Sequence, residues 1–65
     1  MFIKFKMEFL ERMANGYADL ASYYTDKAIV LVAIGRFDDA EYCLAKSNKY
    51  LDKVVNLTAQ ILAIA

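Results

Sequence analysis

The stretch Ala28-Ile29-Val30-Leu31-Val32-Ala33-Ile34-Gly35-Arg36-Phe37-Asp38-Asp39-Ala40-Glu41-Tyr42 decides the fold. Gly35 follows an apolar helical run, at the C′ place where a left-handed backbone costs glycine least. Asp38 is positioned to cap a second helix, with Glu41 three residues on completing a capping box. Phe37 and Tyr42 take the N′ and N4 positions of a hydrophobic staple around that same cap. Together these features predict a turn between two helices.

Outward from this turn the chain reads as helix in both directions. It has no proline, two glycines and few strand-favouring runs, so helix is the base expectation throughout. On the N-terminal side the polar residues Lys4, Glu8, Glu11, Asn15, Asp19, Ser22 and Asp26 recur every three or four positions. A break at Asn15-Gly16 would normally reset that phase. Glu8 and Arg12 also pair at i,i+4 in the favourable order. The pattern predicts one first helix over about 3–34, with a possible kink at Gly16, and a second over about 38–64. Ile3, Phe5 and Met7 alternate as a strand would, which leaves the start of the first helix less defined.

The composition bounds what such a hairpin can be. Of 65 residues, 60% are apolar, above the ~45–50% of ordinary soluble domains. A chain this short buries only ~60% of its unfolded surface on its own. The lone Cys43 makes no internal disulfide, and no histidine is present for a zinc cluster. Eight basic and eight acidic side chains cancel, which argues against a strongly electrostatic nucleic-acid binder. The longest apolar run, Ala28 to Ile34, is far shorter than the ~20 residues of a membrane span, and charges interrupt the N-terminal region where an export signal would lie. The expectation is a cytoplasmic, single-domain protein over 1–65 that finds stability in a partner.

Two apolar stripes per helix sharpen that expectation. The first helix carries Ile3, Met7, Leu10, Ala14, Tyr17, Ala21, Tyr24, Ala28, Leu31 and Gly35 on one face. Small residues recur there every seven positions and let two backbones approach closely. The matching seam on the second helix reads Phe37, Ala40, Leu44, Ser47, Leu51, Val54, Thr58, Ile61. A further stripe remains on each helix: Phe2, Phe5, Phe9, Met13, Leu20, Tyr23, Val30 and Ile34 on the first, and Cys43, Tyr50, Leu57 and Ile64 on the second. One hairpin buries one stripe per helix, so these residues are candidates for self-association into a homodimeric four-helix bundle. A monomeric three-helix bundle bent at Gly16 is the alternative. The polar stripe of the first helix ends at Asp26, the residues Ile29 to Ile34 are apolar on every side, and Ile29 and Val32, framed by Arg36, Asp38 and Asp39, form a candidate docking patch for another protein. Ala59, Leu62, Ala63 and Ala65 pose the same question at the C-terminus.

Catalytic chemistry is not visible. With no histidine and carboxylates on polar faces, general acid–base work lacks its usual groups. Cys43 has no imidazole to activate it and reads as a core thiol. Neither glycine sits in a phosphate-cradling loop, and no cofactor or metal site is expected. Tyr17, Tyr24 and Tyr50 fall on packing stripes and read as core with hydroxyls at the rim. Lys46, Lys49 and Lys53 line one side of the second helix and are the only candidate RNA contacts. Beside Asp52 on a neutral chain they read first as a solvated face, because phosphate binding demands more cationic surface.

Tyr24, Ala28, Leu31, Gly35, Phe37, Ala40, Leu44 and Ser47 resemble a single tetratricopeptide repeat. Lys27 departs from that pattern where leucine is usual, and Asp52 stands in place of the closing proline. The same stretch is similar to the helical hairpin of microtubule-interacting-and-trafficking domains, which share the G-x-[FY]-x-x-A turn. The likeness covers one repeat unit, whereas an array needs about three, and it implies tight hairpin packing and a protein-binding role. In overall plan and length alone the chain also resembles Rop-like hairpins, which dimerise and bind paired RNA loops. The fold expected is therefore all-α, an antiparallel helical hairpin. The function expected is that of a small non-catalytic protein-binding regulator or inhibitor, of the kind found as accessories of viruses or mobile elements. An RNA-binding homodimer and a purely structural assembly subunit are the alternatives.

Overall fold

The computed structural model of the chain describes residues 2–64, with side chains from Lys4 to Ile64. Two helices, α1 (Phe2–Ala33) and α2 (Phe37–Ile64), pack side by side as an antiparallel hairpin. Helix α1 continues through Gly16 without interruption, so the described residues form two helices and not three. An interior glycine costs a helix roughly 0.5–1 kcal/mol relative to alanine, too little to overcome the packing of 32 residues along one partner.

The turn forms where the sequence places it, with a different cap. Gly35 adopts φ +79°. Its N–H donates to the Val32 carbonyl at 3.0 Å and the Arg36 N–H to the Leu31 carbonyl at 2.8 Å, the paired bonds of a Schellman C-terminus. The Arg36 carbonyl then accepts from the Ala40 N–H at 3.1 Å, which makes Arg36 and not Asp38 the residue that opens α2. The expected capping box and staple are thereby shifted out of register. Asp38 and Asp39 stand in the first turn of α2, where carboxylates offset the positive helix end, and Phe37 and Tyr42 are both exposed. The reason is the tightness of the Gly35 turn, which leaves no residues to spare before the helix begins.

The seam of α1 follows the expected stripe. Leu10, Ala21 and Ala28 are buried, and Met7, Ala14, Tyr17, Tyr24 and Leu31 are half-buried against α2. On α2 the seam is displaced by one position at alternate contacts. Ala40 and Ser47 are buried and Val54 and Ile61 half-buried, as expected, but Phe37, Leu44, Leu51 and Thr58 are exposed. Their places are taken by Cys43 and Leu57, which are buried, and by Tyr50 and Ile64, which are half-buried. These four were expected on the outer stripe. Both sets keep the same heptad phase through Ala40, Ser47, Val54 and Ile61, so periodicity cannot choose between them. Side-chain size does: Cys43 packs in one cluster with Ala28 and Ala40, where the bulkier Leu44 would hold the helices apart.

Ala21, Ala28, Ala40 and Ser47 are each only 2% exposed. The Ser47 hydroxyl donates to the Ala21 carbonyl at 3.0 Å and lies 2.6 Å from the Thr25 hydroxyl. Only closely apposed backbones let a side chain this short reach across to a main-chain oxygen, so the small residues and the cross-helix hydrogen bond have one cause. The bond also satisfies the one buried polar side chain among the described residues, as burial requires.

Candidate functional site

What the hairpin leaves uncovered is its most distinctive feature. Its accessible surface is 5022 Å², against roughly 4200 Å² for a compact globular chain of this mass. An elongated hairpin has that excess by shape, and large apolar side chains share in it: Phe5 is 67% and Leu62 70% exposed, and others between them on both helices are uncovered too.

These side chains fall into two columns, and the helix period locates each. An α-helix turns about 100° per residue, so the neighbours before and after a seam residue point to opposite sides. In α1 most exposed apolar residues precede seam residues, Phe9 before Leu10, Leu20 before Ala21, Tyr23 before Tyr24 and Val30 before Leu31, and only Ile29 and Val32 near the turn follow them. In α2 they follow them: Leu44 after Cys43, Leu51 after Tyr50, Val55 after Val54, Leu62 after Ile61. Because the helices are antiparallel, the two columns lie on opposite broad faces of the hairpin. Side-chain contacts fix the same assignment. Lys46 and Lys53, which precede Ser47 and Val54, reach the rings of Tyr24 and Tyr17 on the α1-column face. Glu11, Asn15 and Ala18, which follow seam residues, share a shallow groove with Thr58 on the other.

Away from the turn each face is thus apolar along one helix and mostly polar along the other, while at the turn end Ile29 and Val32 join Phe37 and Leu44 on the α2-column face and Tyr42 lies on the α1-column face. A paired hairpin that enclosed one core from both helices of each copy would need both columns on one face. The expected self-association stripe is therefore divided. Phe5, Phe9, Leu20, Tyr23, Val30 and Ile34 are exposed on α1 and Met13 is half-buried. Cys43 and Leu57 are spent inside the hairpin. The side chain of Phe2 lies outside the described residues. Sequence reasoning placed Leu44 and Leu51 in the seam and singled out neither Val55 nor Leu62 as part of a stripe; the signal was their constant position one residue after the seam.

The turn-end patch lies on the α2-column face. Ile29 and Val32 follow Ala28 and Leu31 and are exposed, as are Phe37 and Leu44 on the same side. Arg36 and Asp39 form an i,i+3 ion pair with both side chains more than half exposed, but they line a groove with Lys27 and Tyr42 on the other face, so the expected frame of the patch is divided around the turn; Asp38 is exposed in the same turn.

The α1-column face carries an aromatic ladder beside its apolar column. Tyr50 stacks between Tyr17 and Tyr24, with centroids 5.8 Å from each, and Tyr23 meets Tyr24 edge-on at 5.1 Å. Lys53 lies 5.2 Å over Tyr17, Lys46 lies 5.7 Å over Tyr24 and 5.4 Å over Tyr42, and Lys27 lies 5.9 Å over Tyr23. Hydrogen bonding to Tyr42, then the electrostatic pull of the Tyr42 and Tyr24 phenols, holds the Lys46 ammonium above its ordinary pKa. Two of the three candidate RNA lysines are engaged with rings in this way; Lys49 is exposed. The ring faces on which bases would stack are occupied by other rings and by ammonium groups.

Among the described residues no group of three or more His, Cys, Asp or Glu converges as metal ligands would, and no helix is long and apolar enough to cross a membrane. Cys43 is a free, buried thiol. No family model, curated protein or solved structure matches the chain.

Proposed function

We propose that this chain is a small non-catalytic protein-binding module that acts in the cytoplasm as a regulator or inhibitor through its apolar helical surfaces. The observation that carries the reading is the pair of exposed apolar columns on a hairpin whose own seam is complete. Contiguous exposed apolar surface on a small chain marks interaction sites. The local likeness of Tyr24–Ser47 to protein-binding helical hairpins agrees with it. Self-association is one use of these surfaces. The turn-end patch of Ile29 and Val32 is the candidate contact for a different protein, with Arg36, Asp38 and Asp39 around the same turn.

Pull-down with the immobilised chain tests this. Ile29→Asp with Val32→Asp should reduce capture of the partner at least tenfold while circular dichroism shows unchanged helix content. Undiminished capture by the double variant would remove the patch from the proposal. The RNA reading gains nothing from the geometry, since Lys46 and Lys53 already lie on tyrosine rings.

A further inference from the structure

We infer that the partner of each apolar column is the opposite column of a second copy of this chain: α2 of one molecule lies along α1 of the next, and the contact repeats. This deepens the protein-binding reading above and rests on it. The argument starts from symmetry. A two-fold contact uses the same patch on both copies, so it would cover the α1 column or the α2 column and leave the other exposed. A contact between unlike faces covers both with one interface.

The dimensions suit it. The hairpin measures 51 × 14 Å across its broad face, an outline of roughly 700 Å², close to the ~800 Å² per partner of a standard stable interface. The two columns also match in length, from Phe9 to Ile34 on α1 and from Phe37 to Leu62 on α2. Turning a second copy by half a turn about the normal to that face lays its α2 column over the α1 column. The same turn sets its α1 flank, with Glu11 and Asn15, over the Lys46–Lys53 side of α2. Translation without that turn would set apolar side chains on lysines. Half-turn stacking does not close on itself, so copies add in a row.

A second observation points to the same neighbour. Gly16 lies in the α1 column between Phe9 and Leu20, about two helical turns from the first and one from the second. A Cβ added there would meet nothing within 4 Å, and its φ is not positive. The hairpin therefore has no internal use for a glycine that weakens the middle of its longest helix. A helix docked on that column does: an absent side chain lets a neighbouring backbone come close, as the small residues do in the seam.

The test is complementation between two full-length variants, Phe9→Asp/Leu20→Asp on the α1 column and Leu51→Asp/Val55→Asp on the α2 column. Mass is measured by light scattering across concentration, and helix content by circular dichroism. The wild type is expected to exceed two copies as concentration rises. Each variant alone should stay near its 7.4 kDa monomer mass, and an equimolar mixture should give a single species of about twice that, because one intact column remains on each. A variant that pairs with itself, or a mixture that stays monomeric, overturns the inference. So does a wild type that is monomeric throughout, an outcome that leaves the binding of a different protein at the turn end intact and testable by the pull-down. Gly16→Leu guards against misfolded variants: it should raise the melting temperature of the dilute chain and lower the assembled mass, and unchanged assembly would count against the contact.

Discussion

The seam and the outer columns run along the same two helices and are built in opposite ways. In the seam, Ala21, Ala28, Ala40 and Ser47 are small, almost fully buried, and bring the backbones close enough for a serine to reach a carbonyl across the gap. On the outer faces, phenylalanine, leucine and valine stand exposed with no helix against them. The larger side chains ordinarily supply most of the burial that stabilises a fold, at ~25 cal/mol per Å². Here most of them are left outside, while the core is three alanines, Cys43, Ser47 and the two leucines Leu10 and Leu57. The hairpin is therefore held by proximity and geometry, and its main reserve of apolar surface is directed outward.

That contrast can be broken most severely at paired leucines. Leu57→Ala empties a buried position and should cost about 2–5 kcal/mol, whereas Leu62→Ala, one helical turn away on the outer column, should change the stability of the dilute chain by less than ~0.5 kcal/mol. Urea unfolding at low concentration separates the two. Equal losses would mean that Leu62 is covered within the monomer.

The two glycines give the next largest effect, with opposite signs. Gly35→Ala forces a side chain into the left-handed region and should destabilise by roughly 1–2 kcal/mol. Gly16→Ala should stabilise the dilute chain by roughly 0.5–1 kcal/mol through helix propensity. Thermal melts of both variants at one concentration decide this. A loss at Gly16 would show that the hairpin itself needs the glycine.

Ser47→Ala removes the cross-helix bond to the Ala21 carbonyl and should cost about 0.5–1.5 kcal/mol. A double-mutant cycle with Thr25→Val should show coupling, since the two hydroxyls lie 2.6 Å apart. Additive effects would place the energy in the close packing and not in the bond. The smallest effect belongs to the turn: Arg36→Ala breaks the ion pair with Asp39 and should cost ~0.5 kcal/mol or less, an amount that 1 M salt should remove. A larger, salt-insensitive loss would mean that the Arg36 side chain packs on Leu31 beneath it.

How much of this was legible in the sequence depends on the kind of signal. Gly35 after a long apolar run marked the turn, because few residues other than glycine end a helix in a left-handed conformation. The unbroken polar phase through Asn15 and Gly16 marked α1 as one helix. The cap was misplaced because Asp38 and Glu41 carry a genuine capping pattern; the Schellman turn simply begins α2 before that pattern can act. The outer α2 column was misread because the periods of Cys43–Tyr50–Leu57 and Leu44–Leu51 are identical.

From composition and periodicity alone the sequence determined an all-α hairpin, the residue that turns it, the α1 seam, and an apolar content greater than one hairpin can bury. Those follow from local backbone preference and from the helix period, which act within a few residues. The tertiary structure decided which side of α2 meets α1, that Tyr50 wedges between Tyr17 and Tyr24, and that the surplus apolar side chains part onto opposite faces. Those depend on how closely two backbones approach, which is set by the joint fit of Ala28, Ala40, Cys43 and Ser47 across the seam and is carried by no single segment of the chain.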